Sequence, residues 1–533
     1  NRVLRFISPG TIHHALSESA ISIVAGYAEY IRIFETIHFQ LKGTPSASEI
    51  ALCTYQLNKK QNQSGDDTHL DNITGQASPD LSPEFAFPAQ ETFTRIANRI
   101  TEVAGRIAHS TGNVLSHVSR QAEKPGDNIT SFGRRDTLFD PFVGDQRHEF
   151  VEGLLAGANP AISSHDLEQA FLSQFHQHHP EYDAGALHVV SGSSRTALSL
   201  LGFHCGVHEV IVPDLSWTYE HCFPSVTAVP PCESQALDVE SIIALVRFKL
   251  EQNPDWQQYG AVVLNNPHNA TGQVFEKADL RKLLRWLLAN GITVIDDLAY
   301  ENVSPGKEWI EIPTLQEIGN SLYKSGCIRK SQLNNLLTVH ALSKTDCFAG
   351  ARLAVAHIPE PHYRDIFNAI TSNIRPNRMA LALAYLFYRN HGLEIREFYQ
   401  LRNRILKDRM VALADANAAF PEERNPFHIR IHGPEGAMYP NMVIEELPAG
   451  ISLDWLGIGL ASRGIGLVPL TTFARTGQGF DLARKRFRLT LGGTDSAASL
   501  QRKTRRVLID LNRLLTKETA NYSRNQLKES RQS

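Results

Sequence analysis

Cysteine is scarce in this chain of 533 residues, and its six copies are far apart in sequence. None of them forms a Cys-x-x-Cys pair, which excludes a zinc knuckle of that type and argues against a disulfide scaffold. We therefore expect reduced thiols and a cytoplasmic location. The six are Cys53, Cys205, Cys222, Cys232, Cys327 and Cys347.

A strong net charge and long apolar runs are missing too. Lysine and arginine total 53 against 56 aspartates and glutamates, and the net charge of −3 gives no general attraction to nucleic acid or membranes. No uninterrupted apolar run reaches the roughly 20 residues of a membrane-spanning helix. The N-terminal stretch ALSESAISIVAGYAEY contains glutamates and lacks a basic flank, which is untypical of a signal peptide. The sequence begins with Asn1 rather than Met, which leaves the position of the native N-terminus open.

The composition is that of a folded protein with a large core, since 42% of the residues are hydrophobic and 20% are charged. The length predicts roughly two to four domains. In the first 130 residues, a helix-prone stretch at 12–42 precedes a polar segment at 55–90 that we expect to be a loop or linker. Apolar residues then recur every three or four positions from 93 to 107, which predicts an amphipathic helix. No pattern in this region points to chemistry.

From about residue 185, short apolar runs alternate with helical patterns. The runs are ALHVV, EVIVP, GAVVLN, ITVID, LLTVHAL and RLAVAHI. Between GAVVLN and ITVID lies KADLRKLLRWLLANG, an amphipathic helix that ends at Asn290-Gly291. Strand, helix and strand at this spacing predict an α/β fold with a largely parallel sheet.

Polar or aromatic residues follow five of these runs directly. Ligands of such sheets bind beyond the carboxyl ends of the strands, which is where these residues fall. Loop composition would explain any single segment, but five in succession predict a ligand site at this edge. The segments are SGSSRTAL, DLSWTY, NPHNATG, DLAY and SKTDCFAGAR.

Three of the segments fit a phosphorylated aldehyde. The turn Gly192–Ser194 opens a helix, where backbone N–H groups and hydroxyls bind anions. Asp297 ends a buried strand, and a carboxylate there is costly unless it is paired, for example with a pyridinium N–H. Lys344 and Arg352 flank a short Phe- and Gly-containing turn, where they are either two solvated charges or the groups that hold an aldehyde and its phosphate, and this stretch alone does not decide between the two.

The ordered set SGSS, SWTY, NPHNATG, DLAY, SK, GAR and FRLTL resembles the class I/II aminotransferases, fold-type I pyridoxal 5'-phosphate (PLP) enzymes similar to aspartate aminotransferase. The resemblance covers residues 135–517, about seven-tenths of the chain. GPEGAMYPNMVIEE and ASRGIGLVPLTTF resemble the small C-terminal α+β domain of that family. The resemblance implies an α/β fold whose large domain has a large mixed, mostly parallel sheet. The implied organisation is a helical N-terminal extension of unknown role (1–130), an N-terminal arm or small-domain part (131–170), a PLP-binding large domain (171–365), a small C-terminal domain (366–517) and a polar tail (518–533).

Carried over to the matching positions, the resemblance implies three catalytic residues. Lys344 would form a Schiff base with PLP, Asp297 would pair with the pyridine nitrogen, and Tyr300 would hydrogen-bond the phenolic oxygen together with Asn269. Trp217 would stack on the ring. The implied cofactor-binding residues are Gly192, Ser193, Ser194, Ser343 and Arg352 around the phosphate, with Trp217, Asn269, Asp297, Tyr300 and Lys344. The implied substrate-binding residues are Arg488, which would clamp the α-carboxylate, Asn269 and Trp217.

The implied function is transfer of an amino group between an α-amino acid and a 2-oxo acid, in amino acid metabolism or biosynthesis. Lys344, once displaced, would shuttle a proton between the substrate Cα and the cofactor. The resemblance also implies a homodimer with sites at the subunit interface. A PLP-dependent decarboxylase, lyase, cyclase or oxidase acting on an amino acid stays open as an alternative. A non-catalytic binding module is a third hypothesis, against which the set of Lys344, Asp297 and Arg352 argues.

Several features depart from the family pattern and leave the substrate side open. Ala341 stands where the family usually has a hydroxyl residue, Ala270 where it has proline, and Ala158, in a loose alignment, where a tyrosine is common. The segment 304–334 is a long insert that could shape or cover the pocket, and 1–130 has no counterpart in a minimal member.

A histidine tract, His176, His178 and His179, resembles a metal site. Because the tract lies at the end of an amphipathic helix, we expect no metal there. KRFR, at 485–488, is too short for a nucleic-acid patch, and neither nucleic acid nor membrane is expected as a partner.

Overall fold

The structure is a computed structural model that describes residues 130–131, 162–232, 237–306, 312–389, 392–461, 463–492 and 496–532. Of 130–131, 392–394 and 523–532 it describes the backbone alone. The described residues belong to one compact unit, Thr130–Ser533. The predictions for 12–42, 55–90 and 93–107, like Ala158, lie outside the described residues.

Thirteen strands are found in the described part of the chain. They are β1 (Thr130–Ser131), β2 (Leu187–Ser191), β3 (Glu209–Pro213), β4 (Ser225–Val229), β5 (Gly260–Leu264), β6 (Thr293–Leu298), β7 (Leu336–Ala341), β8 (Leu353–His357), β9 (Ile429–His432), β10 (Asn441–Ile444), β11 (Ile465–Gly466), β12 (Val468–Pro469) and β13 (Arg486–Arg488).

Fourteen α-helices accompany the strands in the same part of the chain. They are α1 (Ser164–His178), α2 (Ser194–Phe203), α3 (Val239–Gln252), α4 (Trp256–Tyr259), α5 (Lys277–Ala289), α6 (Leu315–Lys324), α7 (Lys330–Leu333), α8 (Leu342–Thr345), α9 (Pro361–Thr371), α10 (Arg378–Arg389), α11 (Gly392–Ala418), α12 (Leu453–Ala461), α13 (Gly477–Ala483) and α14 (Ala497–Gln532). None of the described helices is both long and apolar enough to cross a bilayer.

Seven strands form one mixed sheet in the order β2-β8-β7-β6-β5-β3-β4. Strand β8 runs antiparallel to its neighbours β2 and β7, and the other four pairs are parallel. Strands β5, β6 and β7 are buried along their whole length, because helices cover both faces of the sheet. The predicted α/β fold with a large mixed, mostly parallel sheet is confirmed.

Helices pack on this sheet through apolar stripes. In α5, five leucines are fully buried, and the helix ends at Asn290 before Gly291, whose φ of 68° few other residues adopt easily. The predicted helix at KADLRKLLRWLLANG is therefore confirmed. Helices α3, α5 and α6 share one core cluster with the sheet, and α2 and α9 share another.

The segment 304–334 differs from the insert that we expected. Strands β6 and β7 are parallel neighbours, and such neighbours need a crossover connection. Helix α6 lies in this connection, and its residues Leu315, Ile318 and Leu322 are buried in one cluster with α5. The described part of the segment is thus largely an ordinary element of the helical layer.

A second sheet, β12-β13-β10-β9, is antiparallel and lies towards the C-terminus. Residues of α11, α12 and α14 bury their apolar side chains against it in one cluster. This is the α+β arrangement expected there, while the individual domain boundaries stay predictions. A two-residue parallel pair joins β1 to β11.

Candidate active site

The carboxyl edge of the large sheet collects the predicted site residues. We define this edge as the one where β2, β3, β5, β6 and β7 end and where the antiparallel β8 begins. Gly192 follows β2, Trp217 follows β3, Asn269 follows β5, Asp297 lies near the end of β6 and Tyr300 just beyond it, Ser343 and Lys344 follow β7, and Arg352 directly precedes β8.

Asp297 is a buried carboxylate, 5% exposed, near the end of β6. Tyr219 Oη donates a hydrogen bond to its Oδ2 at 2.9 Å, and Asn265 Nδ2 donates to its main-chain oxygen at 2.6 Å. Its Oδ1 is equally buried and accepts no hydrogen bond from the described residues. Burial raises the pKa of Asp297 to about 6, although the Tyr219 hydrogen bond lowers it. The free oxygen is an acceptor suited to a charged N–H donor.

The turn after β5 fixes the position of Asn269. Asn265 Oδ1 accepts a hydrogen bond from Asn269 N at 2.8 Å, so that the first asparagine of the turn holds the last one. Ala270 N donates to Leu215 O at 3.0 Å. Proline, which the family pattern has at this position, could not make that hydrogen bond.

A chain of polar contacts runs from this turn to the second sheet. Arg488 Nη1 donates to Asn269 Oδ1 at 2.7 Å, and Asn269 Nδ2 donates to Tyr300 Oη at 3.3 Å. Tyr300 Oη and Tyr439 Oη are 2.8 Å apart. Burial raises the pKa of Tyr300 well above its usual value, and Tyr439 adds to this. Asn269, Tyr300 and Arg488, which come from three separate sequence motifs, therefore lie together.

Aromatic rings hold the guanidinium of Arg488 in place. This residue ends β13 and is 6% exposed. Its Cζ lies 4.3 Å from the ring centre of Tyr439 and 4.6 Å from that of Phe473. Such cation–π contacts fix a planar fork that matches the geometry of a carboxylate.

Gly192 shapes the turn between β2 and α2. Its φ is 105°, and a Cβ at this position would lie 2.2 Å from Thr196 Oγ1. Gly192 N donates to Arg352 O at 2.7 Å, which ties the turn to the start of β8. Ser194 begins α2, whose N-terminus favours an anion. The structure thus joins the main chains of two predicted phosphate-binding segments.

The side chains of the predicted phosphate-binding residues differ in burial. Ser193 and Ser343 are each 8% exposed, whereas Arg352 is exposed and donates to Ala349 O at 3.4 Å. The phosphate-binding roles of all five residues stay predictions. Ala341 is buried in β7 opposite Ala354, so a methyl group stands where the family pattern has a hydroxyl.

Lys344 lies half-buried in the single turn of α8, directly beyond β7. The turn is closed by Asp346 N, which donates to Leu342 O at 3.2 Å, and by Phe348 N, which donates to the same oxygen at 3.1 Å. The lysine therefore has a well-defined main-chain position at the edge that carries Asp297 and Asn269.

Trp217 lies beside the site in the turn after β3. Its ring meets that of Tyr219 edge-on, with centres 5.3 Å apart, and the Cζ of Arg195 lies 4.9 Å from the tryptophan ring centre. Stacking of Trp217 on a cofactor ring stays a prediction.

Four site residues were missed by sequence reasoning. Tyr219 holds Asp297, Asn265 holds Asn269, and Tyr439 and Phe473 flank Arg488. Tyr219 and Asn265 lie inside the quoted motifs, so a hydrogen-bond partner for each motif residue could have been sought there. Tyr439 and Phe473 carry no signal of their own, because aromatic residues in such segments usually belong to a core.

The histidine tract is divided among different partners. His178 Nε2 lies 2.8 Å from Tyr388 O. His179 lies with Glu301 and His340, and one ligand atom from each falls within 4.8 Å of the others. Sequence reasoning did not connect Glu301 with the tract, because this residue lies far away in sequence, three positions beyond the end of β6.

Sequence comparison identifies the family to which this fold and the residues at the carboxyl edge belong. A family model described as aminotransferase class I and II matches residues 153–499. Because that match covers more than half of the chain, the chain belongs to the aminotransferase class I and II family.

Individual relatives are more distant. A probable aspartate/prephenate aminotransferase from Aquifex aeolicus (strain VF5) is 28% identical over 283 residues, which cover 50% of this chain and 65% of the relative. Histidinol-phosphate aminotransferase from Lactococcus lactis subsp. cremoris (strain SK11) is 22% identical over 237 residues, 40% of this chain and 59% of the relative. The matches thus span less than two thirds of these curated relatives.

Solved structures share the fold. An aspartate aminotransferase double mutant from Thermus thermophilus has a TM-score of 0.55 and 20% identity, and the match covers 75% of this chain and 96% of that one. An α-aminoadipate aminotransferase, also from Thermus thermophilus and complexed with N-(5'-phosphopyridoxyl)-L-leucine, has a TM-score of 0.56 and 17% identity, covering 76% and 95%. At these identities the likeness shows the fold alone.

Proposed function

We propose that this protein is a PLP-dependent aminotransferase that moves an amino group between an α-amino acid and a 2-oxo acid. Family membership supports the class of chemistry, since class I and II aminotransferases use PLP and take amino acid and 2-oxo acid substrates. The observation that carries the proposal is the free, buried Oδ1 of Asp297 at the edge that also holds Lys344.

The residues present fit PLP. Asp297 would accept the pyridinium N–H on Oδ1, while Tyr219 keeps Oδ2 occupied. Asn269 and Tyr300 would donate to the phenolic oxygen, and the turn Gly192–Ser194 would hold the phosphate at the N-terminus of α2. When bound, PLP supplies an electron sink for the bonds at the substrate Cα.

Lys344 would bind the aldehyde and, once displaced, act as the base at the substrate Cα. Its amine would take the Cα proton, because its main chain is fixed at the edge beside Asn269 and Asp297. Asp297 stays ionised near neutral pH in this role, since its pKa is about 6. The buried rings of Tyr300 and Tyr439 would exclude water from the reacting carbon.

Arg488 would bind the substrate α-carboxylate. An Arg488→Lys substitution keeps the charge but loses the planar fork, so we expect the KM for the amino acid to rise roughly 10- to 100-fold while kcat changes less. Steady-state kinetics with several amino acids measure this. An unchanged KM would remove Arg488 from the substrate site.

The decisive experiment is the visible absorbance spectrum of the purified protein with PLP, recorded before and after a single amino acid is added. We expect the cofactor band to convert to the pyridoxamine form and to return when a 2-oxo acid is supplied. Conversion without return, or oxygen uptake, would instead support a decarboxylase, lyase, cyclase or oxidase. No cofactor band at all would overturn the proposal.

We extend the proposal to assembly and location. A homodimer with subunit-interface sites and a cytoplasmic location are proposed for this chain on the strength of the family resemblance and the reduced thiols. No disulfide joins any two of the five cysteines in the described residues, which supports a reducing compartment: Cys205, Cys222, Cys232, Cys327 and Cys347. The division into an arm, a large domain (171–365) and a small domain (366–517) is likewise proposed. Sedimentation analysis would test the dimer.

A further inference from the structure

Behind the lysine turn lies a set of buried charged side chains that the proposed function leaves unused. We call it the buried charge network and define it as Glu301, His340, Asp346 and Arg402. Their exposed fractions are 8%, 1%, 0% and 1%, respectively. Charges so far from water persist only when they are paired.

His340, in β7, lies between the two carboxylates of the network. Its Nδ1 is 3.1 Å from Glu301 Oε2, and its Nε2 is 3.8 Å from Asp346 Oδ2. Burial lowers the pKa of His340, but Asp346 and Glu301 outweigh burial and raise the pKa to about 10. Burial likewise raises the pKa of Glu301, but His179, His340 and Arg402 outweigh it and lower the pKa to about 2. At neutral pH His340 is therefore an imidazolium between two carboxylates.

Arg402, in α11, holds the main chain of the two turns that carry the predicted catalytic residues. Its guanidinium donates to Thr345 O and, at 2.7 Å, to Asn302 O. Thr345 directly follows Lys344, and Asn302 lies two residues beyond Tyr300. The side chain thus ties the lysine turn to the tyrosine turn.

Further polar groups approach the network from α10, from α11 and from the residue that follows α1. Tyr388 Oη in α10 donates to Asp346 Oδ2 at 2.8 Å, and Tyr399 Oη in α11 donates to Asp346 Oδ1 at 2.5 Å. His179, at the end of α1, meets the ring of His340 with centres 4.9 Å apart and lies 3.3 Å from Glu181. Within the network itself, two carboxylates and two cations sum to zero charge.

The same histidine contacts could be a metal site, and charge decides between the two interpretations. A divalent ion on His179, Glu301 and His340 would require a neutral His340. The charges of the ion and of Arg402 would then exceed those of the Glu301 and Asp346 carboxylates, which would leave a surplus positive charge away from water. With a protonated His340 and no ion, the network has no surplus charge. The structure therefore favours a network without metal.

We propose that the buried charge network is a positioning device, in which His340 and Arg402 hold the Lys344 turn against the Tyr300 turn and neutralise the carboxylates of Glu301 and Asp346. The purpose of this device rests on the proposed function, but its contacts involve this chain alone. A change in the net charge of the network should shift the titration of Lys344, with a sign set by the charge that is left.

The test is the pH dependence of Lys344 acetylation by acetic anhydride, followed by mass spectrometry on the full chain without added cofactor. His340→Gln leaves one surplus negative charge, which stabilises the ammonium, so we expect the titration midpoint to rise by about 0.5–1 pH unit. Glu301→Gln leaves one surplus positive charge, and we expect the midpoint to fall by a similar amount. The double variant restores neutrality and should return the midpoint towards that of the unaltered protein.

Arg402→Lys tests the positioning half of the proposal. It keeps the charge but cannot bridge both carbonyl oxygens as a fork, so we expect an unshifted midpoint and roughly tenfold weaker PLP binding by absorbance titration. If both single glutamine variants fail to fold, a folded double variant with an unshifted midpoint supports the charge balance.

Three results would overturn the proposal. Folded single variants whose midpoints stay unchanged or shift in the same direction would give the network a structural role only. One equivalent of zinc in the unaltered protein that His340→Gln loses would make it a metal site. PLP binding unchanged in Arg402→Lys would remove the positioning role. Opposite midpoint shifts without any PLP band would leave the network intact and refute the proposed function instead.

Discussion

Tyr219 controls the acidity of the carboxylate on which the candidate site depends. Its hydroxyl is fully buried and donates to Asp297 Oδ2 at 2.9 Å. This hydrogen bond favours the ionised carboxylate and holds the pKa of Asp297, which burial raises, at about 6. The ionised form is the one that would hold a pyridinium N–H.

Tyr219→Phe should therefore move PLP binding to higher pH. Without the hydroxyl, the pKa of Asp297 rises further above its usual value, so the residue is protonated over a wider range and binding is lost sooner as the pH falls. Absorbance titrations with PLP between pH 5 and 9 measure the shift. Tyr259→Phe is the matched control, because Tyr259 precedes β5 at the opposite edge of the sheet. Identical pH profiles for both variants would refute this role.

At the scale of residues, the sequence sufficed for groups whose chemistry is unusual in their position. A carboxylate at the end of an apolar run, such as Asp297, has few explanations other than a ligand or a buried partner. Tyr219 and Tyr439 could not be recognised, because a tyrosine that packs and a tyrosine that donates a critical hydrogen bond look alike in sequence.

At the scale of elements, the turn between β2 and α2 depends on a glycine. Gly192→Ala should strain the backbone at φ 105° and drive a Cβ to 2.2 Å from Thr196 Oγ1. We expect the free energy of unfolding to fall by about 1–3 kcal/mol, and PLP to bind more weakly because the helix N-terminus moves.

Gly350→Ala is the control for this change, since it lies in a neighbouring loop of the same edge and a Cβ there meets nothing within 4 Å. Denaturant unfolding and PLP titration compare the two variants. Equal losses in both would show that the turn has no special requirement for Gly192.

Asp296 connects β6 to α6, and its burial makes stability depend on pH. Its Oδ2 accepts from Leu315 N at 3.0 Å, and burial raises its pKa from the usual 3.8 to about 8. Because the folded protein binds this proton more tightly than the unfolded chain, stability falls as the pH rises from about 4 through 8. Asp296→Asn keeps an acceptor for Leu315 N and should stabilise the protein increasingly from pH 5 to pH 9.

Thermal unfolding at the two pH values measures this effect. Asp296→Leu is the comparison, because it removes the acceptor and should destabilise at both pH values by about 1–3 kcal/mol. A gain for Asp296→Asn that does not change with pH would contradict the assigned pKa.

Sequence patterns located the strands better than their directions. The runs that became β2, β3, β5, β6, β7 and β8 are apolar because both faces of the sheet are covered. A uniformly apolar run carries no sign of direction, which is why the sequence did not identify β8 as the antiparallel strand of the mixed sheet. Strand β4 was missed because it lies at the edge of the sheet and is only partly buried.

At the scale of the whole molecule, contacts between the two sheets could not be predicted from sequence patterns. The motifs placed Asn269 and Arg488 in one site only through resemblance, because strand periodicity specifies a face and not a distant partner. The hydrogen bond that joins them spans the large sheet and the small one. The meeting of His179, Glu301 and His340 was unforeseen for the same reason.

Asp214 fastens these two parts of the fold together. Located after β3 and 2% exposed, it accepts hydrogen bonds from Arg475 N at 2.9 Å, from Thr476 N at 2.9 Å and from Thr476 Oγ1 at 2.6 Å. Arg475 in turn donates to Trp217 O at 2.7 Å. The segment that carries Phe473, which flanks Arg488, is thereby fixed to the tryptophan turn.

Asp214→Ala should loosen this junction and leave buried donors without an acceptor. We expect a loss of about 2–3 kcal/mol in the free energy of unfolding and a raised KM for the amino acid, because the Phe473 side of the Arg488 pocket is no longer held. Denaturant unfolding and steady-state kinetics measure both effects. Glu220→Gln provides the control, since its pair with Arg475 is half-exposed and should contribute at most about 1 kcal/mol. If the two variants behaved alike, the junction would have to be attributed to the Arg475–Glu220 pair and not to the buried aspartate.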